Sequence, residues 1–118
     1  MVDLASLILD VPDFPRPGVT FKDVTPLLAS AQGLAAAVDG LVALAPVDVD
    51  VVVGLEARGF LFGPPVALAL GVGFAPIRKP GKLPRESIEV SYALEYGEET
   101  LTLTWPDGET SAFRRWEE

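Results

Sequence analysis

Two kinds of hydrophobic spacing alternate along this chain and divide it into elements. Leu4, Leu7 and Ile8 fall at i, i+3 and i+4, which predicts a short amphipathic helix with Asp3 as its N-cap. Ser30 is placed to cap a second helix, in which Leu34, Val38, Leu41 and Ala45 keep one apolar face until Pro46 stops it. Val51, Val52 and Val53 form a continuous β-branched run, the pattern of a strand covered on both faces. Gly59 to Leu70 reads as a helix with Gly71 as its C′ residue, and Pro64-Pro65 should bend or tighten its first turns. Phe74 to Lys79 is a second short apolar strand. Strand, helix and strand in that order predict a parallel, right-handed βαβ unit. The period then changes to two. Ile88, Val90, Tyr92, Leu94 and Tyr96 alternate with Glu89, Ser91, Ala93 and Glu95, and Thr100 to Trp105 alternates again. Gly97-Glu98 between these runs is the expected turn of a hairpin.

The connecting segments differ in kind. Val11 to Pro26 holds four prolines and one glycine, which forbid a helix and favour an extended, rigid loop. Asp10 and Asp13 read there as turn and cap residues. Pro80 to Glu86 is rich in Pro and Gly and is expected to be mobile. Asp107 to Glu118 is a short charged tail without a clear period. The fold class expected is α/β, built on one βαβ unit and an antiparallel hairpin.

Composition narrows the chemistry. A chain of 118 residues supports a single core. A hydrophobic fraction of 49% argues for a folded globule and against disorder. The formal charge of −8 speaks against nucleic-acid or anionic-membrane binding, which need a basic surface. With neither Cys nor His, disulfides, thiolate metal sites, Ser-His and Cys-His pairs and imidazole catalysis are all excluded. Chemistry must run on carboxylates, Lys, Arg, Tyr and backbone amides, with or without a bound divalent ion. The N-terminus does not read as a signal peptide, and no window of about 18 apolar residues is free of Pro, Gly or charge. A soluble cytoplasmic protein is expected.

Against that acidic background one segment reverses sign. From Ala57 to Arg85 there are five basic residues (Arg58, Arg78, Lys79, Lys82 and Arg85) and no acidic one. Glu56-Ala57-Arg58-Gly59 ends the first strand of the βαβ unit and opens its helix, where backbone N–H groups and one Arg can meet an anion. Arg78 and Lys79 end the second strand, so both loops come to the same sheet edge, the ligand-binding edge of open α/β sheets. A phosphate-bearing ligand suits Arg forks and Lys point charges. The plainer alternative is a turn with an ordinary surface ion pair beside a solvated loop. Phe21, flanked by the polar Thr20 and Lys22, is either a core aromatic or a platform for a flat base. Glu95 and Tyr96 stand at a strand end, as a cross-strand pair or in a functional role.

Four blocks of the sequence resemble the adenine phosphoribosyltransferase family, in the order and spacing of that family. They are Asp10 to Leu28, Gly54 to Pro64, Arg78 to Pro84 and Ser91 to Gly97, and the resemblance runs from residue 3 to about residue 103. It implies a phosphoribosyltransferase-type parallel sheet, a base-binding hood and a flap hairpin. The implied domain covers residues 1–104: helix and hood over 1–28, helix and βαβ core over 29–79, mobile loop and hairpin over 80–104. Residues 105–118 match nothing in the family. The implied activity is purine salvage, joining adenine to 5-phosphoribosyl 1-diphosphate to give AMP and diphosphate. Mg²⁺ would act through the substrate's diphosphate, and the family commonly forms homodimers.

By the same resemblance Phe21 stacks on adenine, with Thr20 and the Lys22 backbone beside it. Glu56, Ala57 and Arg58 form a diphosphate loop, and Arg78, Lys79 and Lys82 hold the leaving diphosphate. Glu95 and Tyr96 belong to the flap, with Glu95 as the proton-transfer candidate. In the family the hairpin is followed by a strand, two adjacent acids and a Thr-Gly-Gly-Thr loop that grips the ribose 5-phosphate. That text is missing here, so a truncated chain of doubtful activity is expected, with an open sheet edge and exposed apolar faces. The rival expectations are a non-catalytic purine- or diphosphate-binding module and a fragment that docks onto a full-length homologue.

Overall fold

A computed structural model describes residues 2–84, 87–94 and 97–103. The chain divides into two compact units, Met1–Ala45 and Pro46–Glu118.

The first unit opens with a 3-10 turn, Leu4–Leu7, rather than the amphipathic helix that the leucine spacing suggests. Asp3 does not cap it through its side chain; Ser6 Oγ donates instead to the Asp3 carbonyl at 2.7 Å. Ile8 is already extended, because Leu9–Val11 leaves as a strand, β1. β1 pairs antiparallel with β2, Phe21–Asp23, in the register Leu9↔Asp23, Asp10↔Lys22 and Val11↔Phe21. The proline-rich segment is thus the loop of a small two-stranded ribbon. Asp13, at φ 57°, folds this loop by accepting the Gly18 N–H at 2.9 Å. Asp10 is neither turn nor cap; it lies on β1 and ion-pairs with Lys22 across the ribbon.

A short helix that the proline count hides follows as α1, Thr25–Ala29. Pro26 sits in its first turn, where the missing N–H would have no intrahelical acceptor. Asp23 Oδ1 accepts the Thr25 N–H at 2.9 Å and so turns the chain into the helix. Ser30 then caps α2, Ala31–Leu44, by accepting the Gly33 N–H at 3.0 Å. The helix stops one residue short of the apolar stripe, since Ala45 is already extended ahead of Pro46.

In the second unit β3, Val51–Leu55, pairs in parallel with β4, Gly73–Arg78, and α3, Gly59–Leu70, joins them. Gly71 takes the left-handed conformation at φ 72° and closes α3, in agreement with its expected C′ role. The helix start lies hard against the strand. A Cβ on Gly54 would stand 2.5 Å from the Gly59 carbonyl oxygen, and one on Gly63 would stand 2.2 Å from the Phe74 ring. Glycine at these positions lets α3 approach the sheet closely.

The hairpin consists of β5, Ile88–Leu94, and β6, Gly97–Leu103. Gly97 and Glu98 are not its turn: they pair with Leu94 and Ala93 as part of the ladder. β6 also pairs antiparallel with β4, which extends the sheet to the order β3-β4-β6-β5. β3 is therefore an outer strand among the described residues. Its outward residues Val53 and Leu55 are 42% and 48% exposed, contrary to a strand covered on both faces. Gly54, which points to the opposite face, packs against Gly59 at the start of α3. The structure is thus an α/β fold with a parallel βαβ pair and an antiparallel hairpin.

Candidate functional site

The close seating of α3 on β3 fixes the turn between them. Glu56 follows the last residue of β3, and its N–H donates to the Ile77 carbonyl on β4 at 2.8 Å. The Glu56–Ala57 peptide bond is cis. Ala57 and Arg58 are exposed on the turn that leads into α3. The Ala57 and Arg58 carbonyls accept from the Phe60 and Leu61 N–H groups, both at 3.0 Å, which tightens the first turn of the helix.

The end of β4 supplies the basic partners. Arg78 Nε donates to Glu56 Oε1 at 3.1 Å, and the Lys79 N–H donates to the same oxygen at 3.3 Å. Lys82 Nζ donates to Glu56 Oε2 at 2.7 Å. The loop reaches back through Gly81, whose φ of 83° suits a residue without Cβ. One carboxylate therefore gathers an arginine, an ammonium and a backbone amide at the carboxyl ends of two parallel strands. Its pKa falls from 4.5 to about 2. The Lys82 hydrogen bond is the main cause, partial burial opposes it, and the Lys79 amide and Arg78 add to the lowering.

Two further contacts hold this corner. The Arg78 guanidinium lies 5.7 Å from the centroid of the Phe60 ring, which in turn meets Phe74 edge to face at 6.2 Å. Thr102 on β6 is buried, and its hydroxyl donates to the Arg78 carbonyl at 3.0 Å. Neither Phe60 nor Thr102 is among the residues that the sequence singles out. The aromatic sits one residue past Gly59 in the turn motif and was a visible signal; the role of Thr102 depends on a long-range pairing and had no local one.

No protein-family model matches the chain. Individual relatives do. The adenine phosphoribosyltransferase of Cutibacterium acnes is 65% identical over 100 residues, which cover 85% of this chain and 56% of that protein. The crystal structure of the Thermoanaerobacter pseudethanolicus adenine phosphoribosyltransferase superposes with a TM-score of 0.80 at 46% identity, over 85% of this chain and 59% of that one. In sequence and in structure the chain matches part of an adenine phosphoribosyltransferase. The Saccharomyces cerevisiae member, solved with adenine and a bisphosphorylated imino-altritol, aligns with a TM-score of 0.76 at 41% identity, covering 85% of this chain and 60% of that one. The chain spans little more than half the length of the relatives it matches.

Set on this family frame, the positions singled out in the sequence fall into three groups. Glu56, Arg78, Lys79 and Lys82 come together directly, with Ala57 and Arg58 on the adjoining turn. Thr20, Phe21 and Lys22 belong to the other compact unit. There Phe21 is half-buried on β2 and meets the exposed Phe14 ring edge to face, with centroids 5.3 Å apart. Thr20 is exposed, and Lys22 directs its ammonium to Asp10. Glu95 and Tyr96 lie outside the described residues, as does Arg85. No cluster of three acidic side chains able to hold a metal occurs among the described residues, and no helix among them is long and apolar enough to cross a membrane.

Proposed function

We propose that this chain serves purine salvage as an adenine phosphoribosyltransferase, moving the phosphoribosyl group of 5-phosphoribosyl 1-diphosphate onto adenine to give AMP and diphosphate. The observation that carries the reading is the convergence of Arg78, the Lys79 N–H and Lys82 at one sheet edge, on a backbone shared with relatives of that name. Breaking the bond from ribosyl C1 to diphosphate passes through a cationic, oxocarbenium-like state and requires no protein nucleophile. The protein must neutralise the departing charge, position the base and exclude water. Arginine, lysine and backbone amides meet the first need in a chain without His or Cys.

In this reading the Glu56-Ala57-Arg58 turn with Arg78, Lys79 and Lys82 holds the diphosphate. Phe21 carries the adenine ring, with Thr20 and the Lys22 backbone at its edge. Glu95 and Tyr96 close over the base, and Glu95 takes part in the proton transfer that adenine requires. Mg²⁺ would be carried by the oxygens of the substrate's diphosphate, since the described residues present cations and no acidic cluster at this edge. A cytoplasmic homodimer is the assembly that the family suggests.

Calorimetric titration of the 118-residue chain with inorganic diphosphate and with adenine, paired with an assay for AMP, tests the reading. Binding of both ligands together with AMP formation is expected. Arg58→Ala should remove diphosphate binding, and unchanged affinity would take the turn out of the site. Binding without AMP formation would instead support a non-catalytic module.

A further inference from the structure

We propose that the Glu56 side chain is a positioning group: its carboxylate holds the Lys82 ammonium and the Arg78 guanidinium in the geometry that captures a diphosphate, without itself touching the ligand. This rests on the diphosphate-site reading given above.

Glu56 places a negative charge among cations that are to meet an anion. A carboxylate inside an anion-binding cluster repels the ligand, so on charge alone Glu56 weakens the site. Its geometry shows what offsets this. The Glu56 side chain is 12% exposed, against 35% for Arg78 and 47% for Lys82. The carboxylate is thus the most covered member of the cluster, and a ligand arriving from solvent meets the cations first.

The way each cation is held also leaves capacity for a second acceptor. Arg78 binds Glu56 through Nε, and that contact leaves the fork of two Nη groups out. Lys82 gives Glu56 one of three N–H donors. Phe60 supports the guanidinium on one side and Thr102 fixes the backbone at Arg78. Lys82, in contrast, stands on a loop, and its ammonium is held by the Glu56 carboxylate. An unrestrained lysine carries among the largest side-chain entropies of any residue, and its loss opposes ligand capture unless it has already been ordered. Glu56 performs that ordering before the ligand arrives.

The test is diphosphate affinity in the full 118-residue chain, with inorganic diphosphate as the probe. Glu56→Gln keeps the shape and removes the charge. If Glu56 positions the cations, binding weakens by about two- to tenfold, the factor for freezing one long side chain anew, although the site has become more positive. The loss should shrink in a Lys82→Met background, a dependence that general destabilisation would not produce. Glu56→Gln binding that equals or exceeds the unmodified chain overturns the proposal and makes Glu56 a competitor of the ligand. Should that variant not fold, Glu56→Asp decides: it keeps the charge but withdraws the carboxylate by one methylene, and wild-type affinity would overturn the proposal equally. If the unmodified chain itself binds no diphosphate, the underlying site reading fails, a result distinct from either.

Discussion

At the scale of single residues, Glu56 shows how one carboxylate ties charge to folding. Its pKa falls from 4.5 to about 2 in the folded chain, chiefly because Lys82 donates to it. A depressed folded-state value means that the unfolded chain binds the proton more readily. The stabilisation is therefore complete above about pH 5 and is lost as pH falls from 4.5 towards 2. Chemical denaturation followed across that window should show stability dropping with pH, and Glu56→Gln should flatten the drop; an unchanged slope would remove the ion-pair account. Phe21 poses a different question, because its half-buried ring already meets Phe14. Phe21→Ala should weaken adenine binding by roughly 1–3 kcal/mol, the scale of base–aromatic stacking. Calorimetry with adenine gives the answer, and an unaltered affinity would return the ring to the core of its ribbon. Place in the chain and the family resemblance pointed to both side chains. That the basic residues gather on Glu56 was not legible, since the bonds join positions 22 to 26 residues apart.

At the scale of elements, local signals fixed whatever had a local cause. The Ser30 cap, the α3 span and the left-handed Gly71 follow from side-chain capping and backbone sterics within a few residues. Errors arose where a local rule met an exception. Pro26 looked like a helix barrier, yet proline is tolerated in a first turn, and α1 begins there. Gly97-Glu98 looked like a turn, but the hairpin ladder runs through both. The Ser30 cap has a direct test: Ser30→Ala leaves the Gly33 N–H without its acceptor and should cost about 0.5–2 kcal/mol, read as a lower urea midpoint. The α3–sheet seam should be less forgiving. A Cβ at Gly54 would stand 2.5 Å from the Gly59 carbonyl oxygen, a backbone atom that cannot rotate away, so Gly54→Ala should cost about 1–3 kcal/mol or more. Gly40→Ala is the contrasting control, because nothing lies within 4 Å of its Cβ and the site is inside α2. It should stabilise by about 0.5–1 kcal/mol. Equal effects at Gly54 and Gly40 would mean that close packing does not set the cost.

At the scale of the whole molecule, surface charge and exposed apolar area oppose each other. β3 is an outer strand among the described residues, and Val53 and Leu55, two apart on one face, are 42% and 48% exposed. Leu61 and Leu68 add exposed apolar area on α3, at 45% and 81%. An outer strand with an apolar face is a template for pairing with another copy. Against this stands a net charge of −8, which keeps copies apart at low ionic strength. The screening length shrinks from about 10 Å at 0.1 M salt to about 3 Å at 1 M, so added salt removes the repulsion and leaves the apolar attraction. Sedimentation velocity should therefore show self-association that grows with sodium chloride. Replacing both residues, Val53→Thr with Leu55→Thr, should suppress that growth while placing a β-branched side chain suited to a strand at each position. Association that weakens with salt would instead identify an ion-paired contact, and an undiminished response in the double variant would place the contact elsewhere than β3.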